Sequence, residues 1–304
     1  MKRGEFIRLM ACGSATLLPL TSAMSGDTES VTILHTNDTH SRIDPFPAGH
    51  KKYPDKGGVS RRKALVDAIR AEEENVLLLD AGDIFQGTPY FNLYGGELEL
   101  KLMSSMQYDA ATMGNHDFDA GLEQFSRVLP NADFPFLCAN YDFSNTPIAG
   151  KTKPYHVFQK GGLKIGVFGV GIELNGLVPS ALYGDTVYQN PIEKAQYYAT
   201  LLKEDLKCNL VICLSHLGYF PRLNDMCDKV LAEQTSGIDL IIGGHTHTFF
   251  TEPEMRENKL GKSVLINQVG FAGLVLGRID FFFGKKGQAD RWAANPISTH
   301  YDIT

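Results

Sequence analysis

Five short polar clusters hold most of the residues that could do chemistry: Asn37-Asp38-Thr39-His40, Gly82-Asp83, Gly114-Asn115-His116-Asp117, Ser215-His216 and Gly243-Gly244-His245-Thr246-His247. Asp38 and His40 are two apart, as are His245 and His247, so on an extended chain each pair points to one side. Carboxylates, an amide and imidazoles, with no thiolate, suit zinc, manganese, iron or cobalt better than an oxygen-only magnesium or calcium site. The donors Asp38, His40, Asp83, Asn115, His216, His245 and His247 are too many for one four-coordinate ion, whereas two divalent ions sharing a bridging carboxylate use them all. Each cluster alone has a plain explanation. Gly-Asp is a turn, and His216 by itself reads as a hydrogen-bonded core histidine. Five of the nine histidines fall in these clusters, however, which makes coincidence the poorer explanation. His35, His50, His156 and His300 read as structural or solvent-exposed.

Positioning such clusters requires strands whose ends meet. Val31–His35, Val76–Asp80, Phe134–Ala139, Leu163–Val170, Leu210–Leu214, Ile238–Ile242, Val264–Asn267 and Leu274–Phe283 read as strands, several with few polar residues, as in sheets covered on both faces. Tyr155–Gln159 and Leu163–Val170 flank Lys160-Gly161-Gly162 and form a hairpin. Arg61–Glu74 is helical, with Leu65, Ala68 and Ile69 on one face. A later helix is capped by Asn190, with Pro191 in its first turn, Glu193 completing a capping box, and an apolar stripe of Ile192, Ala195, Ala199, Leu202 and Leu206. The stretches 44–58 and 86–96 read as loops over one scaffold. This alternation makes a single α/β domain with layered sheets. Ligands of open α/β sheets collect beyond the carboxyl ends of the strands, so clusters distant in sequence converge there.

Composition narrows the classes. The 304 residues are 43% apolar and 21% charged, an ordinary globular balance. A formal charge of −6 opposes binding of a nucleic acid polymer through its backbone, but not a small phosphorylated substrate. No stretch is apolar enough for a transmembrane segment. Lys2, Arg3 and Arg8, the uncharged run Leu9–Leu20 and the small residues to Ala23 describe an export signal over 1–25, which implies a periplasmic or extracellular location. Cys12 is an alternative lipidation site. Cys138, Cys208, Cys213 and Cys227 allow three disulfide pairings, match no zinc spacing, and read as buried thiols.

The series Asp-x-His, Gly-Asp, Gly-Asn-His-Asp, Ser-His and Gly-His-x-His resembles the calcineurin-like metallophosphoesterases. Leu34–His40, Gly57-Gly58-Val59-Ser60-Arg61 and Gly82–Thr88 resemble more narrowly the branch of 5′-nucleotidases and UDP-sugar hydrolases. The resemblance implies a metallophosphoesterase domain over 28–304, a sandwich of two mixed β-sheets flanked by helices. It implies that Asp38, His40, Asp83 and His247 hold one metal ion, and that Asp83, Asn115, His216 and His245 hold a second, with Asp83 as the bridge. His116 and Asp119 resemble the family's catalytic pair. Read locally, Asp119 precedes the periodic stretch Leu122–Leu129 and is equally a helix N-cap. Arg61 and Arg62 read as a solvated helix face rather than substrate contacts. Members of the branch usually continue into a nucleoside-binding domain, and the resemblance is expected to stop short of that domain here. A separately encoded nucleotide-binding protein is therefore an expected partner.

The expected activity is metal-dependent hydrolysis of small phosphate esters, foremost 5′-nucleotides, by a hydroxide activated between two divalent ions (Mn, Zn, Co or Fe). Cleavage of phosphodiester or pyrophosphate bonds, as in 2′,3′-cyclic nucleotides or UDP-sugars, is the nearest alternative. A metal-containing subunit without turnover is the alternative from another class.

Overall fold

The computed structural model describes residues 29–221, 226–284, 287 and 289–299. The export signal over 1–25, the alternative at Cys12 and His300 lie outside the described residues. Two mixed sheets carry the fold. Strands β1 (Glu29–Thr36), β2 (Val76–Asp80) and β3 (Ala110–Ala111) lie side by side in parallel, and β10 (Val275–Phe283) and β11 (Ala289–Ala294) extend that sheet antiparallel beyond β1. The second sheet runs β8 (Glu254–Glu257), β9 (Ser263–Asn267), β7 (Leu240–Gly243), β6 (Leu210–His216), β5 (Leu163–Gly171) and β4 (Tyr155–Lys160). Its four central strands are parallel and its two edges antiparallel.

Side chains on a strand alternate between faces, and here both faces are apolar. Ile33, Leu77 and Leu79 of the first sheet meet Val167, Ile212, Leu214 and Ile242 of the second in a shared interior. The intervening residues face outward onto helices. Leu34 and Leu78 pack on Leu65, Val66 and Ile69 of α1 (Val59–Glu72) and on Leu100 and Met103 of α2 (Glu97–Ser105). Val211, Cys213 and Ile241 pack on Ala195 and Ala199 of α4 (Pro191–Thr200) and on Leu231 of α5 (Asp228–Gln234), with α3 (Gly121–Val128) placed on the first side. The result is the expected sandwich of two mixed sheets flanked by helices. Four cysteine thiols are free and buried, as read. Among the described residues no helix is long and apolar enough to cross a membrane.

Local readings mostly hold, with instructive departures. The β4–β5 hairpin forms, and Asn190 caps α4 by accepting from the N–H groups of Ile192 and Glu193. Helix α1 begins at Val59 rather than Arg61, and Pro89–Tyr94 within the expected loop is a short helix. Phe134–Ala139 is not a strand. Leu137 donates to Ala111 in the first sheet, Cys138 to Lys153 and Ala139 to Gly169 in the second. The segment crosses between sheets and changes partner at each step, so no ladder develops despite its β-rich composition.

Candidate metal centre

The two sheets bring their carboxyl ends to one edge. The parallel pairing of β1 and β2 continues past their ends, with Asp38 N–H donating to Gly82, His40 to Asp83 and Ser41 to Ile84 over 2.8–3.0 Å. Asp83 then lies under the Asp38–His40 turn. The second sheet docks through two contacts. His216, the last residue of β6, donates from Nδ1 to the Ala81 carbonyl at 2.7 Å, and the N–H of His245, after β7, lies 3.0 Å from both carboxylate oxygens of Asp38. The expected extended conformation of the ligand pairs is not what forms. Asp38, His40, Asp83, His245 and His247 all have φ between 48° and 67°. Asp and His visit this left-handed region more readily than most residues, and such backbone strain gathers at functional sites.

All seven expected donors converge. Asp38, His40 and His247 form one group and Asp83, His216 and His245 another, with ligand atoms in each within 4.8 Å of one another. His40 Nε2 is 3.0 Å from His247 Nε2, and His247 Nε2 is 3.3 Å from Asp38 Oδ1. Asp83 Oδ2 lies 3.1 Å from His216 Nε2 and 3.9 Å from His40 Nε2, and so stands between the groups. Asn115 Oδ1 is 2.9 Å from His245 Nδ1.

The donor chemistry fits divalent ions. With Nδ1 of His216 donating to a carbonyl, Nε2 is the ring atom left to take a cation, and this buried atom has no aligned hydrogen bond although it faces Asp83. A second-sphere carbonyl of this kind is how proteins orient a metal-binding imidazole. His40 Nε2 and His247 Nε2 stand 3.0 Å apart beside two buried carboxylates, a spacing met by one ring donating to the other or by a cation held between them. The charges show the same tension. Burial disfavours the charged forms of both Asp83 and His216, yet their proximity overrides it, holding Asp83 well below the usual carboxylate range and pushing His216 up to about 10.

A layer of buried residues behind the donors carried little or no sequence signal. Asp117 accepts from the N–H groups of Asp83, Ile84, Phe85 and Gly114 at 2.8–3.1 Å. Asn37 donates to Asp38 and to the Gly270 carbonyl and accepts from Val269 N–H. Gln268 clasps the His245–His247 loop from both sides, donating to Gly244 at 2.7 Å and accepting from Thr248 N–H at 3.0 Å and Thr246 Oγ1 at 3.2 Å. Asn37 and Asp117 at least stood inside the polar clusters; Gln268, a lone glutamine after β9, stood outside them. Close approach also demands glycine. A Cβ on Gly114 would lie 2.2 Å from Asp83 Oδ1, and one on Gly244 would lie 2.7 Å from His216 Nδ1.

Asp119 is not a helix cap. Helix α3 starts at Gly121, and Asp119 Oδ2 instead lies 2.7 Å from His116 Nδ1. That hydrogen bond is the main reason the His116 imidazole is pushed up from its ordinary value. The His116 ring stands edge-on to His40 at 5.3 Å. Both line a cleft of about 450 Å³ with Asp83, Asn115, His245, His247, Arg42 and Phe271 among its walls. Arg61 stays out of it, paired with Asp55. Arg62 departs from the solvated face expected for it and is 4% exposed, beneath the site. Arg42 is the cation that lines the cleft, and sequence reading passed over it.

Comparison with known proteins agrees with this geometry. Residues 31–249 match the calcineurin-like phosphoesterase family. The snake venom 5′-nucleotidase of Crotalus adamanteus is 33% identical over 295 residues, which cover 90% of this chain and 49% of that protein. The trifunctional nucleotide phosphoesterase YfkN of Bacillus subtilis is 33% identical over 89% of this chain and 19% of its own length. The crystal structure of the 5′-nucleotidase precursor from Thermus thermophilus superposes with a TM-score of 0.78 at 33% identity, covering 89% of this chain and 54% of that one. The chain thus spans about half or less of the length of these relatives. Its fold, its converging histidines and carboxylates and these likenesses agree: the chain belongs to the calcineurin-like phosphoesterase family.

Proposed function

We propose that the chain hydrolyses small phosphate monoesters, foremost 5′-nucleotides, at a centre of two divalent ions. The observation that carries this reading is the placement of Asp83 between two groups of donors at the floor of an open cleft, with His116 on its wall. Asp38, His40 and His247 would hold one ion and His216, His245 and Asn115 the other, with Asp83 shared. Such ions supply Lewis acidity, lowering the pKa of water towards neutrality and offsetting charge on phosphoryl oxygens.

The chain's own residues do the rest. As the oxygen of water bonds to phosphorus, the bond from phosphorus to the alcohol breaks, and the departing oxygen needs a proton. His116 is the donor: Asp119 holds Nδ1 and favours the imidazolium, leaving Nε2 for the leaving group. Asp83 also accepts from the main-chain N–H of His116 at 2.8 Å, which ties the backbone of the acid to the shared ligand. Gln268, Asn37 and Asp117 keep the donor loops in place. Export to the periplasm or outside the cell, and pairing with a separate nucleotide-binding protein, belong to the same proposal; the nucleotidase and phosphoesterase relatives support its substrate class.

The test is a screen of the purified chain against 4-nitrophenyl phosphate, AMP, 2′,3′-cyclic AMP and UDP-glucose with manganese, cobalt, zinc and iron. Faster turnover of the monoesters supports the proposal. Turnover confined to the diester or the nucleotide sugar replaces it by the diesterase or pyrophosphatase reading, and no turnover with any metal overturns it.

A further inference from the structure

Arg42 lines the metal cleft, where its guanidinium lies against an aromatic face rather than in an ion pair. Among the described residues its guanidinium has no hydrogen-bonding or ion-pairing partner, and its Nε is buried without an acceptor. Its charged neighbour is Asp44, and that carboxylate already accepts the Tyr90 hydroxyl at 2.6 Å. Arg42 lines the same cleft as the metal donors, and the rings of Phe46 and Phe271 stand between it and His247.

Its orientation is prepared. The guanidinium carbon lies 4.3 Å above the Phe46 ring, and Phe46 is wedged against His50, Tyr53 and Phe271. Phe271 in turn stacks on His247, 5.2 Å away with an interplanar angle of 13°. An aromatic floor thus runs from Arg42 to one of the metal donors. A guanidinium pinned on a ring loses less freedom on binding than one free in solvent, and its planar fork suits a phosphate oxygen pair.

We propose that Arg42 forms a second anion subsite in the cleft, which takes the non-transferred phosphate of a substrate carrying two linked phosphoryl groups, a nucleoside diphosphate or a pyrophosphate ester. This rests on the phosphatase reading above for the site of the first phosphoryl group.

The experiment uses the manganese-loaded protein with free manganese held constant. Calorimetry compares pyrophosphate with orthophosphate for the wild type, Arg42→Gln and Arg42→Lys. Because a charge-assisted bidentate contact is involved, the wild type should bind pyrophosphate at least about tenfold tighter than orthophosphate. Arg42→Gln should abolish most of that preference, and Arg42→Lys should restore part of it. The ratio of kcat/KM for ADP to that for AMP should fall in parallel. An unchanged ratio in Arg42→Gln overturns the proposal, as does equal weakening of both anions, which would place Arg42 on the first phosphate or in the fold. If the wild type turns over neither nucleotide, the phosphatase reading fails, while the calorimetric ratio still decides the subsite.

Discussion

At the scale of single residues, Asp83 and His116 carry different burdens that measurement separates. Asp83 Oδ2 faces donors of both groups, whereas His40 belongs to one. Asp83→Ala should therefore lower the bound metal by close to both ions, and His40→Ala by close to one, in elemental analysis after gel filtration. Equal losses in the two variants would contradict a shared carboxylate. His116 touches the cleft without sitting in either donor group. His116→Ala should lower kcat by roughly 10²–10⁴-fold, the usual weight of a general acid, with metal content near that of the wild type. The loss should shrink for 4-nitrophenyl phosphate, whose leaving group needs little protonation. Equal losses for good and poor leaving groups would leave His116 a positional role only.

At the scale of elements, the donors depend on loops that the strands alone do not hold. The His245–His247 turn follows a four-residue strand and adopts left-handed conformations, so its shape needs an outside brace. Gln268 is that brace, and it reaches the turn because β9 lies beside β7 in the same sheet. Gln268→Leu leaves the Thr248 N–H without its acceptor and removes one of the two donors to the Gly244 carbonyl, at a cost of about 1–3 kcal/mol. The variant should melt several degrees lower and bind manganese more weakly by titration, with Gln268→Glu retaining the acceptor and part of the affinity. Manganese affinity equal to that of the wild type in Gln268→Leu would show that the turn keeps its shape unaided.

At the scale of the whole molecule, the sandwich is closed by apolar packing, and His35 is a titratable exception near its centre. His35 on β1 is fully buried between the sheets, where Asn267 of β9 lies 2.9 Å from its Nε2. Burial drives its pKa down to about 3 from an ordinary 6.5, so the fold holds it neutral. Below pH 6.5 the unfolded chain takes up a proton that the folded chain refuses until about pH 3. Stability that is present at neutral pH is therefore lost as pH falls through that window, by up to about 1.4 kcal/mol per unit from this group alone. His35→Gln keeps an acceptor for Asn267 and removes the titration. Urea midpoints measured from pH 7 to pH 4 should fall less steeply for His35→Gln than for the wild type; parallel slopes would refute the assignment.

Strand positions, helix faces and the seven candidate donors were legible in the sequence because each rests on local pattern: continuous apolar runs, Asn190 before Pro191, histidines and carboxylates next to glycines. Their chemistry follows from residue type alone, so a candidate metal centre was legible as well. What local pattern could not decide was anything set by a partner distant in sequence. Phe134–Ala139 has strand-like composition, yet its neighbours in space deny it a ladder. Asp119 fits a cap by spacing, yet the chain turns it onto His116. Arg62 looked solvated and is buried, while Arg42, which no pattern marked, reaches the cleft. Gln268 acquires its role only because two strands far apart in sequence are neighbours in one sheet. Residue type determines which chemistry is available; the packing of two sheets face to face determines which side chains share a site, because hydrogen bonding and burial depend on distance in space and not along the chain.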